Sequence, residues 1–143
     1  MTRSADAAQA WQAMRTLVLD LHDRRAEVSQ ALDLSFIRAK ALSRLVAGPL
    51  TMRELAGRLG TDPPYTTVVV DDLERRGLVR RSTSPDDRRV KIVSVTDSGA
   101  RAADIADRIL SEPPPVLAAL DGPDLAELTR ILTQLLAGSN EFS

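Results

Sequence analysis

Cysteine is absent from this 143-residue chain, and histidine occurs once, as His22. Disulfides, thiolate metal sites and thiol redox chemistry are therefore excluded, and so is a metal cluster built on several histidines. Aromatic residues are scarce: Trp11, Phe36, Tyr65 and Phe142 complete the set. The core must accordingly be made of Leu, Val, Ile and Ala. No apolar run approaches the ~20 residues of a membrane-spanning helix. The N-terminus, Met1-Thr-Arg-Ser-Ala-Asp, lacks the apolar stretch of a secretory signal, so a cytoplasmic location is expected. Ser, Asp and the single His never meet in a local motif. No catalytic residue, metal ligand or cofactor is expected.

What is present is a balanced chain with one uneven block. Nineteen Lys and Arg face twenty Asp and Glu, for a net charge of −1. Between Arg75 and Lys91, however, seven residues are basic (Arg75, Arg76, Arg80, Arg81, Arg88, Arg89, Lys91) and two are acidic (Asp86, Asp87). A local surplus of five positive charges in a near-neutral chain suggests a surface aimed at a polyanion such as DNA. The block has a shape as well. Leu73-Glu74-Arg75-Arg76 ends a helix at Gly77, and Leu78 to Arg81 reads as a strand. A polar tip carries Pro85 to Arg89, and Val90 to Val95 runs back to Thr96. That is a helix feeding a charged β-hairpin.

The rest reads as helices. Ala7, Trp11, Met14, Leu17, Val18, Leu21 and Val28 recur at helical spacing, which predicts one long amphipathic helix from Asp6 to Ala31. A second helix is predicted from Ser35 to Val46, stopped by Gly48-Pro49. Thr51-Met52-Arg53-Glu54 is a capping box opening a short third helix that Gly60 closes. Asp62 caps a fourth, with Pro63 at its first position, where the missing N–H costs nothing. On it Thr66, Val69, Val70 and Leu73 share the inward face, and Thr67, Val68, Asp71 and Arg75 point outward. Two short helices and a hairpin make a winged helix-turn-helix. A further helix starts at Thr96 and is broken by Pro113-Pro114-Pro115. A last one follows Asp121-Gly122-Pro123 and carries Leu125, Leu128, Ile131, Leu132, Leu135 and Leu136. The fold expected is mainly α with a small β-wing, flanked by N- and C-terminal helices.

This order of parts resembles the MarR family of bacterial transcriptional regulators over nearly the whole chain. The sharpest match is Leu73-Glu74-x-x-Gly77-Leu78-Val79, then Asp87-Arg88-Arg89, then Thr96-x-x-Gly99. The resemblance implies a homodimeric repressor of pseudo-palindromic double-stranded DNA, with the fourth helix in the major groove and the wing at the minor groove. It implies one MarR-like domain over residues 1–143. The winged helix-turn-helix would take about 35–96 and the dimerisation helices about 6–31 and 97–138. It also implies release by a small apolar or phenolic effector. No membrane partner is expected. The alternative is a winged-helix module that binds protein without reading DNA.

The expected DNA-binding residues are Pro64, Tyr65, Thr66, Thr67, Val68, Arg75, Arg80, Arg81, Arg88, Arg89 and Lys91. The fourth helix has no Arg or Lys before Arg75, and family members often carry Arg where this chain has Asp72. Asp71 and Asp72 are therefore read as a solvated face that repels phosphates, with base reading left to Tyr65, Thr67 and Val68. With Glu74 they look like a metal cluster, but consecutive helix positions diverge by about 100°. Arg53 and Arg58, on the preceding helix, read first as solubilising charges and second as phosphate contacts. Trp11, Arg15, His22 and Phe36 are the expected lining of an effector pocket. Trp11 doubles as dimer core, and His22 reads first as a helix-boundary residue.

Overall fold

The structure is a computed structural model that describes residues 2–139. Met1 and residues 140–143, Phe142 among them, lie outside the described residues. The chain divides into two compact units, one ending at Ser111 and one beginning at Glu112.

The first unit opens with a correction. The predicted helix from Asp6 to Ala31 is three pieces: α1 (Arg3–Arg15), a π-helical segment (Thr16–Leu21) and α2 (Arg25–Leu32). The His22 N–H reaches the Leu17 carbonyl, five residues back, at 2.9 Å, which closes a wider turn than an α-helix has. Asp23 stands just before α2, whose N-cap residue is Arg24. Its carboxylate accepts the Arg25 N–H at 2.9 Å and the Arg25 guanidinium at 2.8–3.1 Å. The guanidinium hydrogen bonds hold the Asp23 carboxyl down at about 2. The apolar period runs on across this break, which is why periodicity alone reads it as continuous.

Helices α3 (Phe36–Val46), α4 (Met52–Leu59) and α5 (Pro63–Arg75) follow, each within a residue or so of its predicted bounds. The α4 capping box is formed: Thr51 Oγ1 accepts the Glu54 N–H and Glu54 Oε1 accepts the Thr51 N–H. Gly60 ends α4 at φ 67°, in the left-handed region that glycine tolerates without strain. A two-residue strand, β1 (Leu50–Thr51), was not anticipated. It pairs antiparallel with β3 (Lys91–Val95), which pairs in turn with β2 (Val79–Thr83), giving the sheet order β1-β3-β2. Helix α6 (Asp97–Ser111) closes the unit. Leu42, Leu45, Leu55, Val69, Val70, Leu73, Val79 and Val93 form one fully buried core beneath the helices and the sheet. Val28, Ala39 and Ala106 form a second, smaller cluster with half-buried Phe36 and Ile109 against it.

The motif Thr96-x-x-Gly99 joins the wing to α6. The Thr96 hydroxyl donates to the Gly77 carbonyl at 2.7 Å and accepts the Gly99 N–H at 3.1 Å. The helix start packs directly on the wing base: a Cβ on Gly99 would lie 2.0 Å from the Leu78 carbonyl oxygen. Only glycine fits there without displacing backbone.

The second unit contains a short helix, α7 (Pro115–Ala118), and α8 (Gly122–Ser139). The proline triplet ends α6 as expected, but Pro115 also opens α7, since proline suits a first helical turn. Asp121 Oδ1 accepts the Asp124 N–H at 2.8 Å and so caps α8. No residue of α8 is buried. No helix of the described residues is long and apolar enough to cross a membrane.

Candidate nucleic-acid interface

The helix-turn-helix consists of α4, the Gly60–Asp62 turn and α5. Asp62 Oδ1 accepts the Tyr65 N–H at 2.8 Å, so α5 begins where the cap requires. Its face is then fixed by burial. Val69, Val70 and Leu73 enter the core, which leaves Tyr65, Thr67 and Val68 outward and exposed, with Pro64 beside them.

Thr66 is a correction among the expected DNA contacts, because it is 1% exposed. Its hydroxyl donates to the Asp62 carbonyl at 2.8 Å. Having one proton, it must accept from Thr61, whose oxygen lies 2.7 Å away. Thr66 ties the turn to the helix and cannot touch a ligand. Thr67 is exposed, but its hydroxyl donates to the Pro63 carbonyl at 3.1 Å. What it offers outward is an acceptor and a methyl group.

Asp71 and Glu74 are exposed, as a solvated face requires, and Asp72 is half-buried, but the three carboxylates of α5 are not unpaired. Each is engaged with arginine. Arg81, on β2, meets Asp71 at 2.6 Å and Glu74 at 2.8 Å, and its N–H donates to Glu74 at 3.3 Å. The Arg81 side-chain hydrogen bonds hold the Glu74 carboxyl below its usual range. Half-buried and paired twice, Arg81 joins wing to helix and is not a free phosphate contact, contrary to expectation.

Asp72 takes three partners: Arg38 Nε at 2.8 Å, Arg75 Nη2 at 2.9 Å and Arg76 Nε at 3.0 Å. Desolvation pushes its carboxyl up. The hydrogen bonds and charges of Arg38 and Arg76 outweigh that and hold it below the usual range. Sequence reasoning missed Arg38 altogether. It stands 34 residues from Asp72, too far for any local rule. The one available signal was a cation in the first turn of α3, where the helix dipole disfavours positive charge unless an anion answers it.

These pairs redraw the basic block. Extended back to Asp71, it holds seven basic and five acidic residues, a surplus of two. The charge left over lies on the hairpin. At the tip Asp87 accepts the Arg89 N–H at 3.0 Å and its guanidinium twice at 3.2 Å, and this lowers the Asp87 carboxyl. The pair orients Arg89, whose side chain is still 90% exposed. Arg80 and Arg88 are exposed and enter no ion pair among the described residues. Lys91 is exposed and donates to Thr83 at 3.1 Å.

The expected effector residues are placed more loosely. Trp11 is 62% exposed on α1. Arg15 lines a shallow groove with Gln12, Thr16, Leu19 and Asp20. His22 sits half-buried at the break before α2, and Phe36 packs on the Val28 cluster.

With this geometry in place the comparisons are decisive. The MarR family model matches residues 45–91, from the end of α3 to the first residue of β3. The uncharacterized HTH-type transcriptional regulator YcgE of Bacillus subtilis is 34% identical over 107 residues, covering 74% of this chain and 68% of that protein. The chain belongs to the MarR family. It is a transcriptional regulator of the DNA-binding winged-helix type and not an enzyme. Its fold is also that of solved MarR-family proteins. Wild-type MarR from E. coli, in its apo form, superposes with a TM-score of 0.73 at 22% identity, over 95% of this chain and 97% of that one. MepR of S. aureus in complex with DNA gives a TM-score of 0.62 at 22% identity, over 87% and 98%. The matched family span contains the whole helix-turn-helix and the wing tip.

Proposed function

We propose that this chain acts in the cytoplasm as a homodimer that binds pseudo-palindromic duplex DNA and represses transcription. The observation that carries the reading is the exposed cationic wing, with Arg80, Arg88 and an Asp87-oriented Arg89, attached to a helix-turn-helix whose outward face is Tyr65, Thr67 and Val68. An arginine at a hairpin tip suits a narrow minor groove, where the potential is most negative. Tyr65, Thr67 and Val68 suit thymine methyls and base-edge donors in the major groove. The solved complex of MepR with DNA supports the assignment by fold. Two copies follow from the apolar side chains left uncovered on α1, the π-helical segment and α8, among them Leu17, Val18, Ile131, Leu132, Leu135 and Leu136. Release by a small apolar or phenolic effector, with Trp11, Arg15, His22 and Phe36 as its contacts, rests on family likeness.

A second reading draws on the same helix. Its outward face carries Val68 and Tyr65 exposed and no cation before Arg75, as a protein-binding surface would. Selection of bound sequences from random duplex DNA, at several salt concentrations, separates the two. The regulator reading expects a pseudo-palindrome with half-sites about one helical turn apart. It also expects affinity that falls steeply with salt, because phosphate contacts release counterions. No enriched sequence and no salt dependence would leave the protein-binding module as the better account.

A further inference from the structure

The α5 helix is held from two sides. Asp71 and Glu74 bind Arg81 of the wing, and Asp72 binds Arg38 of α3 across a span of 34 residues. The second attachment is the more sheltered. The Arg38 and Asp72 side chains are 18% and 17% exposed, against 28% and 50% for Arg81 and Asp71. It is also more elaborate. Arg38 Nη1 donates to Ser35 Oγ at 2.9 Å, which fixes its fork. Arg76, sharing the Asp72 carboxylate, donates from Nη1 to the Asp33 carbonyl at 2.9 Å. Asp33 is the one described non-glycine residue with positive φ, at 52°, where the chain turns from α2 into α3. One carboxylate thus fastens the C-terminal half of α5 to the first turn of α3 and, through Arg76, to the α2–α3 corner.

Such a fastening controls the roll of α5 about its own axis. The face proposed to read bases is narrow before Arg75: Tyr65, Thr67 and Val68, with no charged side chain among them to reach across a misfit. Short side chains tolerate little rotation, since a base-edge hydrogen bond weakens steeply outside its distance and angle limits. A long, flexible Arg or Lys reader would absorb that error. Asp72 also keeps Arg38, Arg75 and Arg76 from acting as independent phosphate binders, which would strengthen binding to any sequence.

We infer that Asp72 is a positioning residue for operator selectivity, setting the pose of α5 through Arg38 and Arg76 and restraining non-specific contacts. This rests on the DNA-binding reading above. It requires that an acidic residue beside the DNA-reading face help specific binding and hinder non-specific binding at once.

The test compares the full-length protein with Asp72→Asn, Arg38→Met, the double variant and Asp72→Glu. Each is titrated against the duplex recovered by selection and against a scrambled duplex, after folding is checked by circular dichroism. In Asp72→Asn, operator affinity should fall about tenfold, the scale of one charge-assisted hydrogen bond. Affinity for the scrambled duplex should rise, with a steeper salt dependence. Arg38→Met should lose operator affinity similarly without gaining scrambled-duplex affinity, because it removes a cation. The double variant should be no less selective than Asp72→Asn alone, as expected of two residues in one link. Asp72→Glu should recover part of the selectivity.

Wild-type selectivity in Asp72→Asn would overturn the inference, and so would losses that multiply in the double variant. An Arg38→Met protein with unchanged selectivity, beside an Asp72→Asn protein that has lost it, would make Asp72 a direct base contact and also overturn it. Should Asp72→Asn fail to fold, Arg38→Met decides alone. A wild-type protein that selects no sequence would remove the DNA-binding reading itself.

Discussion

Helix α3 and helix α8 are both amphipathic, and both carry Leu, Ile and Ala at helical spacing. In α3 the apolar face is covered: Ala39, Ala41, Leu42 and Leu45 are buried. In α8 no residue is buried, and Leu136 is 72% exposed. Helix α1 and the π-helical segment behave like α8, again without a buried residue. An apolar period states that a face will avoid water. It does not state whether the cover comes from the same chain. The winged-helix elements find their cover locally, around Leu42, Leu55, Val70 and Leu73. The flanking helices have no buried residue in one copy, and that is the physical support for the proposed dimer.

The largest expected effect tests that contrast. Leu132→Asp or Leu135→Asp should dissociate the dimer, costing at least about 3 kcal/mol for a charge forced into an apolar seam. Sedimentation at micromolar concentration reads it directly. A wild-type protein that sediments as a stable monomer breaks the contrast, because the exposed face of α8 would then need no cover.

Next in size is the wing, which belongs to the covered half of the comparison yet faces outward. Replacing Arg88 and Arg89 together with Ala should weaken operator binding by about 2–4 kcal/mol, two charged contacts of ordinary size. Melting should barely move, since neither side chain enters the core. Unchanged affinity with an unchanged salt slope would take the wing out of the interface.

These elements differ in how readable they were. The α4 capping box, the Asp62–Pro63 start of α5 and the glycine stop at Gly77 were legible because each is a local rule involving neighbours within a few residues. The wing was legible for the same reason. Strand β1 was not, because two residues become a strand only by pairing with β3 some forty positions on. The break at His22 was hidden under a continuous apolar period. Within the site, Thr67 and Val68 were placed outward by spacing alone. The arginine partners of Asp71, Asp72 and Glu74 were invisible, because ion pairing depends on which helices meet and charge counting sees only the strip of sequence inside its window. Thr66 illustrates the converse. Its spacing puts it on the inward face, and inclusion among DNA contacts set that spacing aside.

Gly99→Ala should follow at about 1–3 kcal/mol of folding stability, the scale of overpacking a tight interior site. The added methyl meets the Leu78 carbonyl oxygen, and backbone has to yield. The effect separates the two halves of the comparison: the winged-helix core should melt earlier while association through the flanking helices persists. Loss of the dimer in step with the melting of the core would show that the two are coupled.

The smallest effect sits where the π-helical segment gives way to α2. Asp23 accepts the Arg25 N–H and pairs with the Arg25 guanidinium, and its carboxyl is lowered from an ordinary 3.8 to about 2. A carboxyl lowered by folding stabilises the folded state at pH values above its unfolded value. That contribution is lost as pH falls through the folded value. The side-chain oxygen of Asn accepts an N–H as Asp does, so Asp23→Asn keeps the bond to the backbone and removes only the charge. The difference in melting temperature between wild type and Asp23→Asn should therefore be constant from pH 7 down to pH 5. It should shrink between about pH 4 and pH 2, as the wild-type carboxyl takes up its proton. Circular dichroism melts across that range measure it. A difference that survives unchanged at pH 2 would mean that the Asp23–Arg25 pair does not start α2, and that the boundary between flank and core is set by the π-turn alone.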